Sequence, residues 1–161
     1  MRKFTIIFAL LIIGLSTQIN FAQSEKEMLI KTVRALEEKP FDKETKKMRE
    51  QSLLWVIETD QVSVTACSGV MSPFLEKKNK FGSELTVAYT LGMAAFKLEN
   101  FNKKGDENAA QLAGLETALK SYEAMLKENS KGKFQALDAL LAKRADGTLA
   151  IYVADADCGK K

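Results

Sequence analysis

The sequence predicts an all-α fold, a single-domain bundle of five to seven helices. Its 161 residues include only two prolines and nine glycines, too few to separate many short strands. Residues 81–101 give the strongest signal, because the polar side chains Ser83, Thr86, Thr90 and Lys97 share one narrow stripe of a helical wheel. Most of the remaining circumference is apolar. This segment is therefore predicted to be a central helix with other helices packed around it.

Residues 1–22 are predicted to be a signal peptide, and residues 23–161 a single helical domain. Arg2 and Lys3 precede an apolar run over residues 4–15, which is too short to span a bilayer comfortably. Polar residues and a tolerable cleavage site before Gln23 follow. An uncleaved N-terminal anchor is the alternative. The protein is therefore expected to be exported, either to the periplasm or to the medium.

The charge balance gives no support for a nucleic-acid partner. Without Arg2 and Lys3 the chain keeps 22 basic residues against 21 acidic ones. Nucleic-acid binding needs a basic face that neutralises phosphates. A nearly neutral mature chain is not expected to provide one.

Cys67 and Cys158 are predicted to form a disulfide. An even cysteine count in an exported protein favours pairing, and two cysteines allow only one intramolecular bridge. The bridge would close a loop of about 90 residues, worth about 4 kcal/mol in a chain-entropy account. It would place the two Cα atoms about 4.4–6.8 Å apart. The alternatives are two free thiols or an intermolecular bridge through Cys158.

Two helices are predicted before the central one. The first covers residues 24–39, with Ser24 as cap and Glu27 as capping-box partner, and Pro40 ends it. The second covers residues 42–59. Its charged first half is expected to be solvated, and its apolar second half, residues 53–58, is expected to be buried with Trp55 as a core anchor. A ligand-stacking role is the alternative for Trp55.

Residues 61–75 are ambiguous in the sequence. Val62 to Thr65 alternate like a strand, yet no convincing partner strand is found elsewhere. We therefore expect a turn into a short helix that holds Cys67 and ends near Ser72 and Pro73. A lysine-rich loop over residues 76–80 then leads to the central helix.

Three helical segments are predicted after the central helix. Asp106 caps a helix over residues 107–128, whose apolar seam is spaced by three and four residues. That seam is expected to face the central helix, and nearby alanines are expected to allow close approach. The seam consists of Leu112, Leu115, Leu119, Tyr122 and Leu126, and the alanines are Ala109, Ala110, Ala113 and Ala118. A short helix follows to about Arg144. Residues 148–153 are rich in strand formers, but without a partner strand a terminal helical segment is favoured over a strand.

Residues 88–130 resemble one helical hairpin of the tetratricopeptide (TPR) family. Leu91-Gly92 and Ala95 occupy the small and apolar positions of its first helix. Ala118, Tyr122 and Met125 follow the spacing of its closing helix. The resemblance implies a peptide- or protein-binding surface.

The residue inventory argues against catalysis, metal binding and cofactors. The chain has no histidine, which excludes histidine-based acid–base and nucleophilic arrangements and the usual zinc and haem ligation. It also lacks CxxC and the glycine-rich phosphate-binding motifs. Cys67 and Met71 form a conceivable Cu(I) pair, but two ligands are too few. The carboxylate pairs Glu58 and Asp60, and Asp155 and Asp157, are expected to be solvated. No catalytic, metal or cofactor residue is therefore predicted.

The leading functional expectation is a non-catalytic protein-interaction module of the cell envelope, such as an inhibitor or immunity-like partner. The alternative is a carrier of a small apolar ligand in a helical-bundle cavity, and an enzyme using only carboxylates comes third. An exposed contiguous apolar patch would favour partner binding. A lined cavity of several hundred Å3 would favour a carrier.

Overall fold

The computed structural model describes residues 24–156 and residue 158, and this part of the chain is all α-helical. It contains seven helices and no strand, so the predicted fold class is confirmed. The helices are α1 (residues 24–38), α2 (Lys43–Glu58), α3 (Ser68–Leu75), α4 (Gly82–Glu99), α5 (Glu107–Glu128), α6 (Gln135–Ala145) and α7 (Leu149–Asp155). The predicted signal peptide, residues 1–22, lies outside the described residues. Among the described helices, none is both long and apolar enough to cross a membrane.

α4 is the central helix of the bundle, as predicted. Its Leu85, Tyr89 and Met93 pack into one core cluster together with side chains from α3, α5, α6 and α7. Its Leu91 and Ala94 belong to a second cluster, built with α1 and α2. The helix therefore separates two halves of the core, which explains why most of its circumference is apolar.

α4 and α5 form an antiparallel pair. At one end the Phe81 ring lies 6.4 Å from the ring of Tyr122, and at the other Lys97 pairs with Glu107. Gly92 lies at a point where the two helices approach each other closely. A Cβ atom on Gly92 would lie 2.6 Å from Thr117 Oγ1.

Gly114 faces α4 at the same crossing. A Cβ atom there would lie 2.6 Å from the Tyr89 carbonyl oxygen, so only glycine allows the two backbones to come this close. Leu115, Leu119 and Tyr122 of the predicted seam are fully buried. Leu112 and Leu126 are half-buried at its edge.

The predicted burial of the whole second half of α2 is wrong. The helix buries a single stripe, Thr45, Met48, Ser52 and Val56. A helix that packs on one side buries only the side chains on that side, whatever its apolar content. Leu54 is therefore 55% exposed and Ile57 71% exposed. Trp55 is half-buried and packs against the edge of the second cluster.

α3 continues past the predicted stop at Ser72 and Pro73 and ends at Leu75. Pro73 lacks the N–H that would bond the Gly69 carbonyl, four residues earlier. That carbonyl accepts instead from the Tyr152 hydroxyl at 3.3 Å and from Ser72 Oγ at 3.2 Å. The proline is thus accommodated by a donor from α7.

The C-terminal segment folds back onto α3, as predicted. Residues 149–155 are helical, which settles the choice between helix and strand. Cys67 and Cys158 form a disulfide with Cα atoms 5.6 Å apart, inside the predicted range. Next to the bridge, a Cβ atom on Gly69 would lie 3.2 Å from Ala156 Cβ, so α7 is closely packed there.

Candidate interaction surface

The chain between α2 and α3 contains an extended segment, residues 62–66, that belongs to no helix or sheet. Burial alternates over its first four residues, since Val62 is buried, Ser63 exposed, Val64 half-buried and Thr65 exposed, whereas the last residue, Ala66, is also exposed. Cys67, which follows, has extended dihedral angles of φ −100° and ψ 110°. Val62 and Val64 therefore point towards the core while Ser63 and Thr65 point away from it, as in a strand. Residues 62–65 thus show the strand-like alternation noted in the sequence, but within the described residues no strand pairs with them.

Side chains from α4 and α5 occupy one edge of the extended segment. Lys97 Nζ donates to the Ser63 carbonyl at 2.9 Å, and Gln111 Nε2 donates to the Thr65 carbonyl at 2.7 Å. Carbonyls two residues apart point to the same side of an extended chain. The two donors thus stand where a neighbouring strand would be in a sheet.

Lys97 belongs to the polar stripe of the central helix, yet only 7% of its side chain is exposed. Its Nζ lies 2.6 Å from Glu107 Oε1, at the first residue of α5. A buried ammonium group is tolerable only when it is paired and hydrogen-bonded, and Lys97 satisfies both conditions. The ion pair therefore couples the extended segment to the α4–α5 pair.

Two buried acceptor atoms at this site lack a hydrogen-bond partner. Within the described residues, Glu107 Oε2 and Gln111 Oε1 are buried and accept no hydrogen bond. Burial also raises the pKa of Tyr89 well above its ordinary value, although the backbone N–H of Cys67 opposes the rise. The Tyr89 phenol is therefore neutral throughout the physiological pH range.

Two open grooves flank the extended segment. The α2 groove, of about 340 Å3, lies between the end of α2, the segment and Thr90. The Phe101 groove, of about 470 Å3, lies on the side of Lys97 and Glu107. Both grooves are lined in part by Asp60, Val62 and Ser63, so they adjoin along the segment.

Exposed apolar side chains mark both grooves. Ile57 lines the α2 groove, with Leu54 one turn earlier on the same helix. Phe101 is 71% exposed and lines the other groove, where Lys104 Nζ lies 4.4 Å from its ring centroid. The extended segment is thus bordered on both sides by large apolar groups that face solvent.

A third groove, of about 290 Å3, lies between α1, α4 and α5, above Gly92. Charged and apolar side chains line it in equal number, and two of the charged ones pair with each other, since Lys120 Nζ lies 3.3 Å from Glu37 Oε1. This groove borders the hairpin that resembles a TPR unit. None of the largest exposed apolar side chains of the described chain lines it.

The structure shows the surroundings of the candidate metal and carboxylate residues named from the sequence. Cys67 is held in the disulfide, so its thiol is not free to bind Cu(I) with Met71. Glu58 and Asp60 are exposed, as predicted, and so is Asp155. Its predicted companion at position 157 lies outside the described residues. In the part of the chain that the structure describes, no group of three or more potential ligands is arranged to hold a metal ion.

Sequence reasoning missed Lys97, Glu107 and Gln111. The available signal was weak: Lys97 interrupts an otherwise apolar stretch, and Gln111 lies next to the seam residue Leu112. Neither signal indicates that the side chain bonds the main chain of residues 62–66. Both roles depend on the path of residues 62–66, which the helical pattern does not encode.

No protein-family model matches the chain, and neither the curated proteins nor the solved structures include a significant match. The antiparallel arrangement of α4 and α5 would suit a TPR hairpin, but any closely packed helix pair shares it. The TPR resemblance therefore stays a prediction.

Proposed function

We propose that this protein is an exported, non-catalytic protein-interaction module of the cell envelope. One observation carries the proposal, namely the exposed apolar side chains Ile57 and Phe101, which line the two grooves beside the extended segment. Apolar groups concentrated on one surface and rimmed by polar residues are typical of a protein-binding site. The disulfide supports export, because such bridges persist in oxidising compartments.

The surroundings of these side chains suit an interface. Asp60, Gln61 and Lys104 provide an exposed polar rim, while Ile57 and Phe101 provide bulk that a partner can enclose. Binding energy usually concentrates in a few such anchors surrounded by polar contacts. Leu75 and Ile151 are comparably exposed on α3 and α7, but neither lines one of the two grooves beside the extended segment.

A carrier of a small apolar ligand is the second candidate. The Phe101 groove, with about 470 Å3, falls in the size range of ligand pockets and includes Val62, Leu98 and Phe101. It is open to solvent, and the ion-paired Lys97 and Glu107 form part of its wall. Because both apolar and charged side chains line the groove, a protein partner that covers it fits the lining better than a wholly apolar ligand does.

A capture experiment with matched surface variants tests the proposal. Ile57→Asp and Phe101→Asp each place a charge among the proposed anchors, whereas Ile151→Asp makes the same change at a 58% exposed position on α7. The wild-type protein and the Ile151 variant are expected to capture the same partner from envelope extract. The other two variants are expected to lose it by at least about tenfold, the effect of 1.4 kcal/mol.

Three outcomes contradict or redirect the proposal. Equal capture by all variants would show that the partner binds elsewhere. No partner enriched over an unrelated exported protein would contradict the interaction role. A small apolar molecule that co-purifies with the wild type and is lost with Phe101→Asp would favour the carrier.

A further inference from the structure

The extended segment leaves one edge of its main chain unpaired. In an extended chain the N–H and C=O of one residue point to the same side, and those of the next residue point to the other. The Ser63 and Thr65 carbonyls point to the edge occupied by α4 and α5. Val62, Val64 and Ala66 therefore present their N–H and C=O groups to the opposite edge. Within the described chain, no hydrogen bond engages any of these six groups.

Two usual protections of an exposed strand edge, charged side chains and proline, are absent from the segment. Natural edges are blunted by charged side chains, prolines, bulges or covering elements, because an open edge pairs readily with other chains. Residues 62–66 read Val-Ser-Val-Thr-Ala, with no charge and no proline. Three of the five residues are β-branched and favour strand geometry. The sequence is thus that of a strand ready for pairing.

The segment is also fixed in place before any partner arrives. Val62 packs into the second core cluster, and the side chains of Lys97 and Gln111 hold two of its carbonyls. The disulfide secures the next residue, Cys67. Pre-organisation of this kind lowers the entropy lost on binding.

From these observations we infer that the segment accepts an extended peptide of the protein partner as an added β-strand, paired with Val62, Val64 and Ala66. This inference rests on the proposed interaction role and deepens it. The α2 groove, about 340 Å3, gives the added strand room beside Val64. Ile57 forms part of its wall and faces one row of the incoming side chains.

The expected partner segment follows from this geometry. Main-chain hydrogen bonds provide the pairing, and side chains at every second position meet the apolar wall at Val56 and Ile57. The segment is therefore extended, with apolar residues at alternate positions and no proline where its N–H must donate. A second copy of this chain, paired edge to edge, is the competing occupant.

Amide hydrogen exchange, resolved by residue in the disulfide-bonded protein, tests the inference directly. The probe is a synthetic peptide of alternating threonine and valine with a lysine at each end. The control is the same peptide N-methylated on the residues that would donate to the segment. At ten times its Kd, the probe is expected to slow exchange at Val62, Val64 and Ala66 about tenfold. The N-methylated peptide is expected to leave exchange unchanged.

Two proline variants give an independent readout. Val64→Pro removes a donor on the free edge, whereas Ser63→Pro removes one on the edge facing α4 and α5. Each fixes φ at a value that an extended chain tolerates. Probe binding is expected to weaken at least tenfold for Val64→Pro and to persist for Ser63→Pro. Thermal unfolding of both variants checks that they fold, and the exchange measurement on the wild type does not depend on them.

The possible failures are distinguishable. Lack of protection at these three amides, or protection confined to the groove between α1, α4 and α5, overturns the strand-addition inference. Capture of a partner through Ile57 and Phe101 would still stand as a separate result. A different result is protection that rises with protein concentration in the absence of the probe, with a dimer seen in sedimentation. That result would assign the edge to a second copy of this chain and contradict the inference of a peptide partner.

Discussion

At the scale of single residues, the ion pair between Lys97 and Glu107 decides how the extended segment is held. Lys97 is almost fully buried, whereas 29% of the Glu107 side chain is exposed. The lysine depends on this carboxylate and on the Ser63 carbonyl for its compensation. Loss of either partner would leave a buried ammonium group incompletely paired.

Glu107→Gln is therefore expected to destabilise the protein by about 3 kcal/mol, the lower end of the range for breaking a buried pair. We expect the lower end of that range of destabilisation because part of the Glu107 side chain is exposed to solvent. The control is Glu123→Gln, which breaks the more exposed pair with Arg144 and is expected to cost less than about 1 kcal/mol. Urea denaturation measures both. Equal losses would show that the Lys97 pair is not specially dependent on burial.

Gly114 is the other residue whose identity the fold requires. Gly114→Ala places a methyl group 2.6 Å from the Tyr89 backbone carbonyl, which cannot rotate away. Overpacking of this kind costs about 1–3 kcal/mol. Gly105→Ala is the control, because a Cβ atom there meets nothing within 4 Å. Thermal unfolding of the two variants should differ clearly, and an unchanged Tm for Gly114→Ala would mean that the helices can separate without loss.

At the scale of elements, the sequence predicted where helices lie better than which faces they bury. The bounds of α5 and its Asp106 cap were predicted correctly, because capping and seam spacing are local signals. The burial of α2 was not. Two of the four residues on its buried stripe, Thr45 and Ser52, are polar. A hydrophobicity pattern therefore does not reveal which face of the helix is buried. Ser52 is satisfied by a 2.8 Å hydrogen bond to Thr32 of α1, a contact that no local rule reveals.

The two faces of α2 are expected to respond differently to substitution. Leu54→Lys and Ile57→Lys, made together, should change stability by no more than about 0.5 kcal/mol per site, because both side chains face solvent. Val56→Ala, between them in sequence but buried, is expected to cost about 2 kcal/mol through lost packing. Chemical denaturation compares the variants. A large loss for the double lysine variant would place these residues in the core and remove the basis of the proposed interface.

At the scale of the whole molecule, the predicted architecture rested on α4, and the structure confirms it. Apolar residues around most of one helix imply neighbours on most sides, and two core clusters provide them. The extended segment and its site were not predictable in the same way. Lys97 and Gln111 are 14 positions apart, on different helices, and meet residues 62–66 only after the chain has folded. Tertiary contacts of this kind leave no periodic trace in the sequence.

The disulfide is the whole-molecule feature with the most direct consequence. It joins residues 91 positions apart, so it restricts a large part of the unfolded chain. A chain-entropy account assigns such a bridge about 4 kcal/mol, with most of the effect on the unfolded state. Reduction is therefore expected to lower the free energy of unfolding by roughly that amount, and Cys67→Ser with Cys158→Ser should reproduce the loss without reductant.

Reduction should also have a local effect. α7 is held to α3 by the bridge and by the Tyr152 hydrogen bond to Gly69, and Leu149 and Val153 bury it in the core cluster shared with α5 and α6. Without the bridge its last turn is the part with fewest remaining restraints, so limited proteolysis of the reduced protein is expected to cut first after residue 149. Mass spectrometry of the early fragments identifies the site, with the oxidised protein as control. Amides in the middle of α5 should keep their protection from exchange in the same sample, because neither cysteine of the bridge belongs to that helix. Unchanged stability together with first cleavage inside α2 or α5 would show that packing alone holds the C-terminal helix and that the bridge does not stabilise this part of the fold.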